Sequence, residues 1–443
     1  MTDLIDWVHD ARERTCELVA DLSDSQLIGP RLATVNPLLW EIGHVAWFQE
    51  KWALRRDGRS SVRADADALY DSAAIPHDVR WDLPLLRREE TLRYLREVRD
   101  RVIEKLQGRK LTQEDTYFTL LAVFHEDMHT EAFTYTRQTL GYPPPRLQIA
   151  DCRLQNEKSA SSNLQSAICN LQSHTAGGPL PGDVLIPSGL FQMGAARDEP
   201  FVFDNEKWAH PVQVQPFAIA RAPVTQAEFA DFVNDGGYRQ PHLWSEDGWN
   251  WRSQAGAEHP VYWQAQTNGS WLRRDFDRWV PLEAHRPLLH VNWHEAMAYC
   301  SWAGRRLPTE VEWEFAAAAE PGSARKRRFP WGDSLTPNPR ANLDWRAMGC
   351  VDVADFAGGD SAFGCRQMIG NVWEWTACKF LPYPGFQADP YKEYSRPWFE
   401  THKVLRGGCW CSRSRLLRNI WRNFYLPERR DVWAGFRTCA ISP

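Results

Sequence analysis

The residues best suited to chemistry in this chain are three histidines. The run HEDMH, His125 to His129, sets two imidazoles four residues apart. That spacing puts both on one face of a helix, where they can share one metal ion. The same five-residue pattern is the signature of zinc peptidases, whose glutamate is the general base. Five residues alone are a common chance match, and two surface or core histidines are the plainer reading. His44 changes the balance. It lies in PLLWEIGHVAWFQEKW among Trp40, Ile42, Val45 and Trp47, so it is expected to be partly buried. A lone histidine there would be a hydrogen-bonded core residue, whereas three together make a ligand set. Three neutral imidazoles leave coordination positions open, which marks a catalytic rather than a structural site. They do not select iron over zinc, nickel or copper. Glu126, Asp127 and Glu131 are candidate partners for the ring N–H groups, with surface charge an equal reading for Asp127.

These histidines need helices to hold them. Apolar residues recur at three- and four-residue spacing in Leu4-Ile5-Val8, Leu38-Leu39-Ile42 and Leu92-Tyr94-Leu95-Val98, which predicts helices over residues 1–140. Asn36-Pro37 reads as an N-cap followed by proline at the first helical position, opening a helix through about Arg56. A second helix is predicted from Glu89 to Leu106. A third runs from about Glu114 to Leu140 and stops at Gly141, with Pro143 beyond it. With the opening helix this makes a four-helix antiparallel bundle, and facing bundle helices are where metal sites are built.

Residues 144–182 read as a disordered linker, rich in Ser, Asn and Gln, with NLQS at Asn163–Ser166 and again at Asn170–Ser173. From Asp183 the pattern changes. VLIPSGLFQMG reads as strand, turn and strand. Short apolar runs then alternate with Gly, Pro and Asn, and two helical pieces interrupt near Thr225–Asn234 and Trp293–Ala303. The domains expected are therefore 1–143, a helical metal-binding domain, and 183–443, an α+β domain whose loops carry function. The active site is expected between them.

Composition narrows the function. With 443 residues, two domains are the prior. The net charge of −5 supplies no basic face for nucleic acid. No run of 18 apolar residues suggests a membrane span, and the charged N-terminus does not read as a signal peptide. A cytoplasmic location follows, and the ten cysteines are expected as thiols. Most of the 23 tryptophans fall after residue 200, so the two halves are built differently.

Taken together, PLLWEIGHVAWFQEKWALR, HEDMHTEAF, VLIPSGLFQMG, RAPVTQAEFADFV, HPVYW, HVNWHEAMAYCSWAGRRLPTEVEWEFAA, GNVWEWT, VLRGGCW and the closing GFR resemble the ergothioneine-biosynthesis sulfoxide synthases and the related selenoneine synthases. The resemblance covers nearly the whole chain outside the linker. It implies a DinB-like four-helix bundle followed by a formylglycine-generating-enzyme-like, C-type-lectin-like α+β domain. It also implies Fe(II) on His44, His125 and His129, and an oxygen-dependent coupling of a thiol or selenium donor to the imidazole ring of hercynine. Tyr391 matches the family's catalytic tyrosine, with Tyr394 its substrate-side neighbour; two aromatics packing a loop is the plain alternative. Asn423 matches a contact to the hercynine carboxylate. Phe424, Trp421 and Trp410 are candidates to face its quaternary ammonium, against core packing.

Two positions depart from the mycobacterial-type pattern HEQQH. Met128 stands where a glutamine helps hold the substrate imidazole and cannot replace its hydrogen bond. Tyr425 stands where an aspartate would recognise the amine of γ-glutamyl-cysteine. Both argue against that donor, and ALYDSAAIPHDVRWDLPL with EAFTYTRQTLGYP looks closer to the selenoneine branch, whose donor is a selenosugar. Free cysteine stays open as a donor. Cys409 and Cys411 lie near the copper-binding cysteines of true formylglycine-generating enzymes, but Leu416 occupies the second position, so that activity is not expected. The two thiols handle the chalcogen donor or are small buried residues. Arg87 and Arg88 are candidates for an anionic donor, against exposed helix-start residues. Two other readings remain: a DinB-type thiol transferase without redox change, and a non-catalytic binding module.

Overall fold

The computed structural model describes residues 2–108, 110–147, 177–323, 325–334 and 339–441. Most of the linker predicted at 144–182, with both NLQS copies, lies outside them. The chain divides into two compact units, Met1–Gln148 and Ile149–Pro443.

The first unit is built on four long helices: α1 (Thr2–Glu17), α3 (Leu38–Gln49), α5 (Arg88–Gly108) and α6 (Gln113–Leu140), with short α2 (Asp24–Ile28) and α4 (Ala66–Tyr70) between them. α3 and α6 pack directly on each other, and α1 and α5 complete the bundle. Every residue of α3 is buried, as befits a helix apolar almost all round. Trp40 and Trp47 together remove roughly 400 Å² of aromatic surface from water, worth about 10 kcal/mol before ordering costs. At its end α3 widens into a π turn, Glu50–Leu54, and a 3₁₀ turn, Arg55–Asp57. Asn36 does not cap α3. Pro37 occupies the cap position without a side-chain bond, because the Asn36 amide oxygen accepts from Arg80 Nη1 at 2.7 Å. α6 opens on a capping box between Thr112 and Asp115 and closes on Gly141 in the left-handed region, φ 65°.

Charge inside this unit is paired. Arg12 reaches Glu126 Oε1 at 2.9 Å and Oε2 at 3.1 Å, the Leu95 carbonyl at 2.9 Å and Gln49 Oε1 at 3.1 Å. Thr15 Oγ1 donates to Glu126 at 2.7 Å. The glutamate of HEDMH is thus tied to α1 rather than to a metal-side role.

The second unit is α+β. Strands β1 (Asp183–Ile186), β2 (Gly189–Met193), β3 (His210–Val214), β4 (Phe217–Ala220), β5 (Trp263–Ala265), β6 (Trp271–Asp275), β7 (Arg278–Pro281), β8 (Arg305–Arg306), β9 (Trp373–Lys379), β10 (Lys403–Arg406), β11 (Asn423–Tyr425), β12 (Ala434–Gly435) and β13 (Cys439–Ala440) form four small sheets. Their orders are β1-β4-β13-β8, β11-β10-β9-β12, β2-β3 and β5-β6-β7. The two strands of VLIPSGLFQMG therefore join different sheets. Four α-helices are present among the described residues, not the two expected: α7 (Gln226–Asn234), α8 (Glu246–Ala255), α9 (Trp293–Trp302) and α10 (Glu310–Ala318). α8 is capped by Ser245 and α10 by a box between Thr309 and Glu312.

Buried ion pairs run through the segments that carry the family resemblance. Arg437 of GFR grips Glu374 of GNVWEWT at 2.6 and 2.7 Å, and Trp313 Nε1 donates to the same carboxylate at 2.8 Å. Arg406 of VLRGG bonds Glu310 at 3.0 Å and Glu314 at 2.6 Å. Arg422 closes on Glu310 at 2.6 and 3.0 Å. Such fully desolvated pairs tolerate loss of neither partner. No disulfide joins any described cysteine, and no described helix is long and apolar enough to cross a membrane.

Candidate metal centre

α3 contributes His44; α6 contributes His125 and His129 from consecutive turns. Their ligand nitrogens all lie within 4.8 Å of one another. Ring centroids are 5.1 Å apart for His44–His125, 5.0 Å for His44–His129 and 4.5 Å for His125–His129. His44 and His125 are buried, and His129 keeps 19% of its side chain exposed.

Hydrogen bonds fix two of the tautomers. His44 Nδ1 lies 2.8 Å from the Tyr70 carbonyl and His129 Nδ1 lies 2.6 Å from Glu41 Oε1. A carbonyl or carboxylate oxygen only accepts, so each Nδ1 carries the proton and each Nε2 keeps its lone pair. Burial, reinforced by the neighbouring imidazoles, holds His44 and His125 well below the usual histidine pKa. Both are therefore neutral at physiological pH, as ligation requires. Aromatic walls hold the rings: Trp40 stacks on His44 at 4.9 Å and Phe48 on His125 at 3.5 Å. Gly43 makes room for this arrangement. A Cβ there would sit 2.3 Å from the Tyr70 ring, and Tyr70 supplies the carbonyl that orients His44.

This donor set, three imidazole nitrogens close to one another, fits a divalent first-row metal. Glu41 reaches the His129 ring, and the sequence reading did not single it out although it precedes His44 by one helical turn. Arg80 was also missed. Its guanidinium lies 3.9 Å from the Trp40 ring centroid, and burial lowers its pKa against the opposing charge of Glu41. Arg88 is engaged elsewhere, bonded to the Leu22 carbonyl and paired with Asp24 at 2.8 Å. Arg87 is exposed at the start of α5. Met128 is half-buried, one residue before His129.

In the second unit, Tyr391 and Tyr394 lie in the loop between β9 and β10, 6.0 Å apart between ring centroids. Tyr394 stacks on Phe203 at 4.5 Å and meets Phe424 edge-on at 5.9 Å. Burial, with Glu206 nearby, raises the Tyr394 hydroxyl well above the usual tyrosine pKa. Phe424 also stacks on Phe380 at 4.0 Å. Thus Tyr391, Tyr394 and Phe424 form one aromatic group, joined by Phe203, which sequence reading missed. Asn423 and Tyr425 flank Phe424 in β11, with Arg429 over the Tyr425 ring at 5.2 Å. Trp421 and Trp410 are buried and packed edge-on against Trp373 and Trp433, each at 5.0 Å. The Cys409 and Cys411 sulfurs approach to 3.5 Å and both residues are fully buried.

Comparison with known proteins agrees with this division. A DinB superfamily model matches residues 8–133 and a sulfatase-modifying factor enzyme 1-like domain model matches residues 170–441. A hercynine oxygenase from Mycolicibacterium thermoresistibile is 38% identical over 442 residues, spanning 97% of this chain and 92% of its own. A second hercynine oxygenase, from Mycolicibacterium smegmatis, is 35% identical across 98% of this chain and 97% of its own. A formylglycine-generating enzyme from Streptomyces coelicolor is 33% identical over 289 residues, covering 58% of this chain and 88% of its own. Likeness along both units, with a DinB-type domain preceding a sulfatase-modifying-factor-type domain, means that the chain belongs to the hercynine oxygenase family.

Proposed function

We propose that this chain is an Fe(II)- and O2-dependent cytoplasmic enzyme that joins a chalcogen donor to the imidazole ring of hercynine, with a selenium donor favoured. The observation that carries the reading is the convergence of three imidazoles, His44, His125 and His129, in a chain similar to hercynine oxygenases along nearly its whole length. Iron, when bound, supplies redox capacity and open coordination positions.

The remaining work falls to side chains. His44 and His129 present Nε2 because Tyr70 and Glu41 hold their Nδ1 protons. Tyr391 is the proposed proton or electron donor and Tyr394 its half-buried neighbour. Asn423 contacts the hercynine carboxylate. Phe424, with Trp421 and Trp410, offers aromatic faces to the quaternary ammonium. Met128 lacks the amide that would hold the substrate imidazole, and Tyr425 lacks the carboxylate that would pair with the amine of γ-glutamyl-cysteine, so both favour a selenosugar over that donor. Of the two arginines before and at the start of α5, Arg87 is the proposed cation for an anionic donor, since Arg88 is committed to Asp24 and the Leu22 carbonyl. Cys409 and Cys411 are proposed to handle the donor, and unchanged turnover in both serine variants would remove them from the scheme.

The test is an aerobic turnover assay with ferrous iron and hercynine, run in parallel with selenosugar, cysteine and γ-glutamyl-cysteine, and read by product mass. A selenium adduct alone is expected. A sulfoxide adduct would move the chain to the sulfur branch. Absence of any adduct, with iron bound, would overturn the hercynine reading and favour metal-dependent thiol transfer.

A further inference from the structure

The three ligand histidines are not equally secured. His44 and His125 are buried between aromatic rings: Trp40 stacks on the first and Phe48 on the second. Among the described residues, no ring stacks on His129 in that way. Its nearest phenyl ring, Phe133, is tilted at 6.3 Å, and part of its side chain faces solvent. An imidazole at a helix surface keeps rotamer freedom, and that freedom must be lost when it binds a metal.

One group removes it. Glu41 is 2% exposed and its Oε1 sits 2.6 Å from His129 Nδ1. The carboxylate belongs to α3 while the ring belongs to α6, so this bond ties the two ligand-bearing helices beside the centre. Glu41 also lies one turn before His44, and a single turn of α3 therefore supplies both a ligand and the acceptor for a ligand on the facing helix. The two bonded imidazoles differ in kind. His44 donates to a neutral peptide carbonyl and His129 donates to a carboxylate. A carboxylate acceptor makes the ring a stronger donor and adds negative charge beside a divalent ion.

We infer that Glu41 is the positioning residue of the metal centre: it locks His129 with Nε2 toward the ion and strengthens that one ligand bond. The inference rests on the three-histidine reading, and it is independent of the substrate.

The experiment uses the full chain and cobalt(II) as probe, with the dissociation constant measured by chelator competition and the ligand field by visible absorption. Glu41→Gln keeps an acceptor oxygen but carries no charge, and Glu41→Ala removes both. Cobalt affinity is expected to fall about 10-fold in E41Q and up to about 100-fold in E41A, with altered visible bands in both. The melting temperature of the metal-free E41Q protein should stay near that of the parent, which separates positioning from folding. Unchanged cobalt affinity and spectrum in a folded E41Q would overturn the inference, as would a loss of stability with no loss of affinity. Should E41A fail to fold, E41Q alone decides. A wild-type chain that binds cobalt tightly but makes no hercynine product would sink the proposed function and leave this inference intact.

Discussion

Replacing Arg12 by methionine should damage the N-terminal unit without touching a ligand. The guanidinium makes four hydrogen bonds there, two of them to Glu126, and neither side chain is more than 1% exposed. Arg12→Met leaves the carboxylate buried with Thr15 Oγ1 as its hydrogen-bond donor. Removing one partner of a buried pair costs about 3–5 kcal/mol, a large share of the roughly 5–15 kcal/mol that holds a domain together. For a unit of this size that is a fall in melting temperature of roughly 10 °C. Arg12→Met combined with Glu126→Leu removes both charges and should recover most of the loss, since an apolar replacement of similar volume is often neutral. Urea titration of the singles and the double, read as a double-mutant cycle, measures this directly. The reasoning fails if Arg12→Met costs less than about 1 kcal/mol, or if the double variant is no more stable than either single. It also fails if the folded double variant binds metal normally but has lost turnover, because Glu126 would then be the general base that the HExxH pattern suggests.

Other perturbations probe the same structure. His129→Ala should abolish tight cobalt binding while the metal-free fold persists, checked by chelator competition and circular dichroism. Gly43→Ala drives a methyl group into the Tyr70 ring; overpacking of this kind costs about 1–3 kcal/mol, and weaker metal binding should accompany it because the carbonyl on His44 moves. Stability of the C-terminal unit should depend on Asp204 and Glu206, whose pKa values burial raises to about 6 and about 7, against Ser395 and Arg418 respectively. Raised carboxyl values favour the neutral form in the fold, so this contribution is full below about pH 4 and is lost as pH climbs through 6 and 7. Asp204→Asn should flatten the Asp204 part, roughly 3 kcal/mol between pH 4 and pH 8; urea midpoints that keep the parent's pH slope would contradict it.

Much of the site could be read from residue spacing. Two histidines four apart share one helix face, and a third in an apolar helix makes a shared metal ion a reading that the family resemblance then favours. Glu41 was legible too, since a residue three before His44 lies on the same face, but the acids inside HEDMH drew the attention instead. Glu126 is turned to Arg12, which lies over 100 residues earlier, and no local pattern signals such a pairing. The Tyr70 carbonyl has no side-chain signature at all. Asn36 was misread as a cap for a similar reason: its partner, Arg80, is distant in sequence. In the C-terminal unit, the buried Arg406, Arg422 and Arg437 look like surface charge until their glutamates are located. α8 and α10 escaped because their apolar periodicity is weak, although Ser245 and Thr309 marked their starts. Phe203 joined the Tyr391–Tyr394–Phe424 group through a contact that only the fold creates.

The most direct test is anaerobic loading of the chain with ferrous iron, followed by nitric oxide as a paramagnetic reporter, with and without hercynine. One iron per chain is expected, with a nitrosyl signal that hercynine perturbs and that His129→Ala abolishes. A chain that binds no iron, or whose iron signal is blind to hercynine at saturating concentration, would contradict the assignment of this three-histidine centre to hercynine chemistry.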